Sequence, residues 1–383
     1  MQVKSFGLTY LLMKFRNYQN FLNWRRSRKH QKKTMNFSSK LFEPFLLVTS
    51  QIYKAIVLLR LQCYKNGWLK THQPETPVIS VGNLTAGGTG KTPVVDFLVK
   101  EIQNQKKRPA ILSRGYRRKN GSTQQRFRFC EDSTIDPDII GDEPFLLALR
   151  NPEVPVYVGS SRITAAHSAE IRDHPDVLIL DDAYQHLAIR RDLNILLIDA
   201  ERGLGNGSLL PLGILREPEN QWVRADVIII TKTNLAASDS VMQMLKNELK
   251  VNCPVFKFSF EPQRLSRLDG QAQLNVLQLK GKRLLLTSGI AQPAGFGLLL
   301  EQQGGNVIRK LEFQDHHDYV FKDVQKILHE QEKLQPDYIV TTEKDAVKLR
   351  KFPELLEKLW ILEIGVHPED SWNNYFTEFL NNL

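Results

Sequence analysis

Cysteine is scarce: Cys63, Cys130 and Cys253 lie far apart in 383 residues, and no pair has metal-ligand spacing. A disulfide framework and a zinc-binding knuckle are excluded, and the thiols read as reduced, cytosol-facing groups. Nor does any uninterrupted apolar run reach the ~18–20 residues that a membrane span requires. Low-complexity tracts and internal repeats are absent as well. Acidic residues are missing from residues 1–34, which carry nine Lys/Arg (Lys4, Lys14, Arg16, Arg25, Arg26, Arg28, Lys29, Lys32 and Lys33). That tail accounts for all but one unit of the net charge of +10, so the basicity is local and gives no ground for a nucleic-acid partner. The tail itself has two readings: a segment lying on anionic lipid, or an upstream start with Met35 as the true initiator.

What is present suits a globular chain of two domains: 42% hydrophobic and 25% charged residues, at a length beyond one ordinary core. Between Lys40 and Leu69, the residues Phe45, Leu46, Val48, Ile52, Ala55, Ile56 and Leu59 recur at helical spacing, with Lys54, Arg60 and Lys65 off the stripe. The pattern predicts an amphipathic helix, docked on its own domain or lying in a membrane interface with Trp68 at headgroup level. After Pro77, short β-branched runs at 78–81, 110–113, 156–159, 177–181, 194–199 and 227–231 alternate with polar helical stretches. Apolar on both faces, they indicate a parallel sheet covered on two sides. A β-rich connector at 255–280 leads to a second set at 283–288, 307–313, 338–342 and 359–364. The expected fold is therefore α/β. Its expected parts are a basic extension (1–39), an amphipathic membrane-associated helix (40–72), a larger lobe (73–260) and a smaller α/β lobe with its linker (261–383).

The run Val78-Ile-Ser-Val-Gly-Asn-Leu-Thr-Ala-Gly-Gly-Thr-Gly-Lys-Thr-Pro93 is a strand, a glycine-rich loop and a helix start. Consecutive N–H groups in such a loop close around phosphate oxygens at the positive end of a helix dipole. Lys91 would reach the β- and γ-phosphates of a nucleotide, and Thr92 would offer its hydroxyl to Mg²⁺. Thr85 stands where the strict P-loop pattern has glycine. Downstream, Val177-Leu-Ile-Leu-Asp-Asp182 ends an apolar strand in two carboxylates, an arrangement that holds Mg²⁺ beside a P-loop. Because neighbouring side chains alternate in direction, only one of Asp181 and Asp182 is expected to face the metal directly. Asp142 and Glu143 in Gly141-Asp-Glu-Pro144 could cap a helix. With His316 or His317 of Asp315-His-His-Asp-Tyr319, Asp142 could instead form a base that deprotonates an acceptor hydroxyl. Arg114, Arg162 and Arg216 are candidate phosphate forks. In Thr231-Lys-Thr-Asn234 the guanine-reading aspartate of GTPases is replaced by Asn234, which leans towards ATP.

Together these motifs resemble the tetraacyldisaccharide 4′-kinase family of lipid A biosynthesis from about Leu41 to the C-terminus. The motifs occur in family order, through Leu112-Ser-Arg-Gly-Tyr116, Leu209-Leu-Pro-Leu-Gly-Ile-Leu-Arg-Glu-Pro218 and Thr341-Thr-Glu-Lys-Asp-Ala-Val-Lys-Leu349. Ala183 and Tyr184 depart from the usual Gly-Phe after the paired aspartates. The resemblance implies transfer of the ATP γ-phosphate to the 4′-hydroxyl of a tetraacylated glucosamine disaccharide 1-phosphate, giving lipid IVA. It places the enzyme at the cytoplasmic face of a bacterial inner membrane, peripheral or monotopic. The implied partners are the glycolipid and the membrane surface, with no nucleic acid and no obligate protein. It also implies two α/β/α lobes, one P-loop NTPase-like and one Rossmann-like, joined by a β linker with the site in the cleft between them. Thr85, Ala86, Gly87, Gly88, Thr89, Gly90, Lys91 and Thr92 would bind ATP, with Thr92, Asp181 and Asp182 serving Mg²⁺. Asp142 would pair with one of the two histidines, His317 being marginally preferred over His316. Arg114, Tyr116, Glu143, Arg162 and Arg216 would stabilise charge or meet substrate. The competing reading is a regulatory P-loop ATPase of the partitioning or metal-chaperone type, which would need neither an acceptor base nor an amphipathic helix. A membrane-associated nucleotide-binding protein without turnover is the third.

Overall fold

The structure, a computed structural model, describes residues 38–115, 118, 125–131 and 136–383, the side chains of residues 38–43 excepted. The basic tail and Tyr116 lie outside the described residues.

Helix α1 (Ser38–Lys65) comes first. The apolar runs then form strands where the sequence places them. They are β1 (Val78–Asn83), α2 (Lys91–Asn104), β2 (Pro109–Ser113), β3 (Gln125–Phe127), α3 (Pro137–Ile140), α4 (Asp142–Arg150), β4 (Val156–Val158), α5 (Arg162–Arg172), β5 (Val177–Leu180), β6 (Leu193–Asp199) and β7 (Val227–Thr231). After α6 (Asp239–Gln243) comes the connector, resolved into β8 (Val255–Arg267) and β9 (Gln273–Asn275). The second set is β10 (Arg283–Ser288), α7 (Pro293–Gln302), β11 (Asn306–Glu312), α8 (Phe321–Leu334), β12 (Tyr338–Thr342), α9 (Glu343–Leu349), β13 (Leu359–Pro368) and α10 (Asp370–Asn381).

The expectation of a mixed α/β fold with a largely parallel sheet holds. The joint is more than a linker, however. All the described strands belong to one sheet, ordered β11-β10-β12-β13-β8-β7-β6-β1-β5-β2-β4-β3, with β9 on β8. β8 runs parallel to β7 through Val255–Phe258, then antiparallel to β13 from Phe258 to Arg267. The two parallel sets therefore point towards one another, and the long β8–β13 pair spans the gap between their carboxyl ends. Ligand sites of open α/β sheets form outside the carboxyl ends of strands, so this arrangement aims two such edges into one cleft.

Burial follows the pattern. Val78, Ile79 and Val81 of β1 and Val94, Leu98 and Ile102 of α2 are fully buried. The C-terminal helix returns to the first set: Trp372 is fully buried, with its ring edge-on to Phe256 at 5.2 Å and to Phe258 at 5.0 Å. Chain from the far end thus completes the core under the P-loop.

Helix α1 inverts the usual amphipathic arrangement. Its inward face mixes polar and apolar side chains: Ser50 Oγ donates to the Leu209 carbonyl at 3.0 Å and Tyr53 OH to the Arg216 carbonyl at 2.9 Å, while the Tyr53 ring packs on the core and Leu46, Val57 and Leu61 are half-buried. The predicted apolar stripe faces outward, with Phe45, Val48, Ile52, Ile56 and Leu59 all more than half exposed. A correction applies to its length. The helix from Pro44 to Lys65 contains a stretch of 18 residues at a mean hydropathy of 1.4, enough by length and composition alone to cross a membrane. The sequence reading had demanded an unbroken apolar run, and the dispersed charges of this helix fail that test while the average passes.

Candidate active site

The first wall of the cleft grows from the carboxyl ends of β1 and β5. Gly87 and Gly90 take positive φ of 106° and 84°, and Gly90 sits where a Cβ would strike the Phe260 ring. Helix α2 starts at Lys91 without a side-chain cap, so its first amides face the loop. Asn83, at the end of β1, donates to Thr89 Oγ1 at 2.9 Å and lies 3.5 Å from Thr85 Oγ1. Thr85 is buried there, so its hydroxyl joins the loop's internal bonding where the strict pattern has glycine. Ala86 to Thr92 all line the cleft. Asn234, the residue that replaces the guanine-reading aspartate, has its amide consumed by the Phe260 backbone, which it meets at 2.7 and 3.0 Å.

The paired aspartates have different surroundings. Asp182 lies in the left-handed region (φ 46°), accepts from Arg216 Nη1 at 2.9 Å and sits 3.6 Å from Lys91 Nζ. Burial alone would raise its pKa, but Lys91 and Arg216 outweigh that and hold it below the usual carboxylate range. Asp181 has one oxygen 3.1 Å from Ser113 Oγ, and the other is buried with no hydrogen-bond partner among the described residues. Its proton affinity is raised by burial first, then by the charges of Glu143 and Asp182. An orphaned, buried carboxylate oxygen facing a P-loop is the chemistry of a divalent-cation ligand. Arg162, almost wholly buried, donates to the Asp181 carbonyl at 3.0 Å, and burial lowers its pKa to about 10. Tyr184 is fully enclosed and its additional hydroxyl donates to the Gln221 carbonyl at 2.7 Å, which accommodates that departure.

The second wall joins α4 of the P-loop set to α9 and residues 315–319 from the other end of the sheet. Asp142 is the first residue of α4, with Gly141 in the cap position. Its Oδ2 is 3.1 Å from Lys348 Nζ of α9 and 3.6 Å from His316 Nδ1. Burial pushes the Asp142 pKa up, and His316 and Lys348 together bring it net below the ordinary value. His316 has φ 60°, and its other ring nitrogen lies 2.9 Å from Lys344 Nζ. His317 is turned away: its Nε2 is 2.9 Å from Asp323, and its ring stacks on Phe313 at 4.8 Å. The geometry therefore brings His316 to Asp142, where the sequence marginally favoured His317. Glu143 lines the cleft and pairs with Lys344 at 3.4 Å.

The cleft between the walls measures about 1290 Å³, and its lining includes P-loop residues, Asp181, Asp182, Arg114, Arg162, Arg216 and His316. Tyr53, Val57 and Arg60 of α1 complete its rim. Lys344, Lys348, Asn83 and Ser113 were not singled out from the sequence. The first two lie in the quoted Thr341–Leu349 motif, so the signal was present, but its partner across the sheet was not visible.

Comparison with known proteins now bears on the site. The family model described as tetraacyldisaccharide-1-P 4'-kinase matches residues 42–381. The chain belongs to this family. Among curated relatives, the tetraacyldisaccharide 4'-kinase of Bdellovibrio bacteriovorus is 38% identical over 322 residues, 84% of this chain and 94% of that protein. That of Syntrophus aciditrophicus is 36% identical, covering 88% and 93%. Among solved structures, "apo" form LpxK from Aquifex aeolicus in complex with ATP is 30% identical, with a TM-score of 0.71 over 88% of this chain and 99% of that one. The chain is thus a lipid kinase of the tetraacyldisaccharide 4'-kinase family.

Proposed function

We propose that the cleft transfers the γ-phosphate of ATP to the 4′-hydroxyl of a tetraacyldisaccharide 1-phosphate, with the P-loop lobe (73–260) binding nucleotide and the smaller lobe (261–383) completing the acceptor wall. The observation that carries this reading is His316, which lines the same cleft as the P-loop and lies 3.6 Å from Asp142, itself 3.1 Å from Lys348. Lys91 and the amides opening α2 bind the β- and γ-phosphates. Asp142, ionised by its cationic neighbours, takes the proton of the acceptor hydroxyl and His316 shares it. The acceptor oxygen then bonds to the γ-phosphorus, the bond to the bridging oxygen breaks, and ADP carries off that electron pair. Arg216 and Arg162 stabilise charge on the transferring group. Thr92 and Asp181 would hold Mg²⁺, with Asp182 steadied beside them; when bound, the ion neutralises charge on the phosphates. Around His186, the guanidinium groups of Arg162, Arg191, Arg60 and Arg114 lower its pKa to about 4 after burial, its largest influence. Of these, Arg60 and Arg114 line the cleft beside His186 and suit the 1-phosphate of the acceptor.

The outward stripe of α1 places its apolar side chains in the cytoplasmic leaflet of an inner membrane, where an acylated acceptor resides. Purified protein with ATP, Mg²⁺ and the disaccharide 1-phosphate should yield a lipid carrying a second phosphate. ATP hydrolysis indifferent to lipid would instead favour a regulatory ATPase. Ile52→Ser with Ile56→Ser should weaken co-sedimentation with phospholipid vesicles by about tenfold or more, each lost burial being worth ~1.5–3 kcal/mol. Unchanged partitioning would remove the membrane role from this face.

A further inference from the structure

Behind α4 and α9 lies a second cavity of about 340 Å³, walled by α2, α4, β8, α9 and β13. Leu146 and Glu343 line both cavities and divide them. Lys100, Arg150, Arg264 and Arg350 edge this second space. The first three are matched. Lys100 is 2.8 Å from Asp96, Arg150 pairs with Asp96 at 2.7 Å and Glu343 at 2.5 Å, and Arg264 lies 2.7 Å from Glu363.

Arg350 is different. It follows directly on α9, and among the described residues no carboxylate pairs with it, while its Nε is buried without an acceptor. Burial lowers its pKa and no neighbouring charge opposes the shift. An arginine in a structural ion pair behaves oppositely, as Arg150 does. A guanidinium offers five donors in a planar fork suited to phosphate, and leaving it partly desolvated and unmatched is unfavourable. Gln263 and Gln273 add neutral donors at the cavity mouth.

We propose that this cavity is a second anion site, distinct from the P-loop, that takes inorganic phosphate or a compact phosphate ester on the Arg350 guanidinium. Its walls come from both ends of the sheet, and the same α4 and α9 present Glu143 and Lys344 to the catalytic cleft. Occupancy therefore braces the helices that set the acceptor wall. The site does not depend on the reading of the cleft, because its test reads binding alone.

The experiment titrates inorganic phosphate, at constant ionic strength in chloride, into full-length Lys91→Ala protein, in which the P-loop no longer competes. Saturable calorimetric binding is expected, and adding Arg350→Gln should weaken it at least tenfold. Should that variant not fold, Arg350→Lys, which keeps the charge but loses the fork, should still weaken binding severalfold. Failure of the Lys91→Ala protein to bind phosphate, or equal binding by the Arg350 variants, overturns the proposal.

Discussion

On the P-loop wall, Asp181 is buried with one oxygen unmatched, and burial together with Glu143 and Asp182 raises its proton affinity. On the facing wall, Asp142 is also largely enclosed, but Lys348 at 3.1 Å and His316 at 3.6 Å hold its pKa low. One residue type, lining the cleft in one case and standing beside its His316 in the other, is thus prepared for two tasks. The first carboxylate awaits a cation from outside the chain. The second carries its own cations and stays ionised, as a base must. Burial sets the scale of both shifts, and neighbours decide their sign.

Five substitutions test that contrast. The largest effect is expected from Asp142→Asn, which should lower kcat by ~10²–10⁴ while ATP affinity changes by no more than about threefold. Equal losses in both would mean that Asp142 binds nucleotide. Next, His316→Ala should lower kcat by ~10²-fold. His317→Ala should leave the rate within about threefold and instead lower stability by ~1 kcal/mol through its lost bond to Asp323. A kinetic loss confined to His317→Ala would reverse the assignment.

Thermal unfolding without Mg²⁺ should then separate the walls by sign. Asp181→Asn removes an unmatched buried carboxylate and should raise Tm. Asp142→Asn strips Lys348 of its closest carboxylate and should lower it, each by ~1–3 kcal/mol in stability. Matching signs would show that the two environments do not differ as described. The depressed pKa of Asp142 makes its stabilisation fully present above the unfolded value of ~3.9 and lost as pH falls through the lower folded value. Finally, Lys348→Met removes a cation that favours the ionised form, so the acid limb of the kcat/KM profile should move to higher pH. An unmoved limb would show that Lys348 does not tune Asp142.

Much of the first wall was legible because it is local. The loop from Thr85 to Thr92 and the strand ending at Asp181 are contiguous patterns whose periodicity and glycine spacing carry their geometry. The strand positions were legible for the same reason. The second wall was not, since His316 reaches Asp142 only through the pairing of β13 with β8 and the packing of α9 beside α4. Choosing between adjacent histidines required the backbone of His316, which takes φ 60° and turns the two rings to opposite sides. Helix α1 was half legible: its apolar stripe could be counted, but whether that stripe faced the protein depended on where Ser50 and Tyr53 found carbonyl partners.

The sequence by itself determined the α/β class, the phosphate loop, the paired aspartates and the family, because hydrophobic period, glycine placement and motif order are properties of neighbouring residues. Only the tertiary structure decided that one sheet unites both strand sets, that His316 meets Asp142, that α1 turns its apolar side outward, and that Arg350 has no carboxylate partner among the described residues. Those features depend on contacts between residues far apart in the chain, and neither spacing nor composition encodes which distant groups share a low-dielectric space.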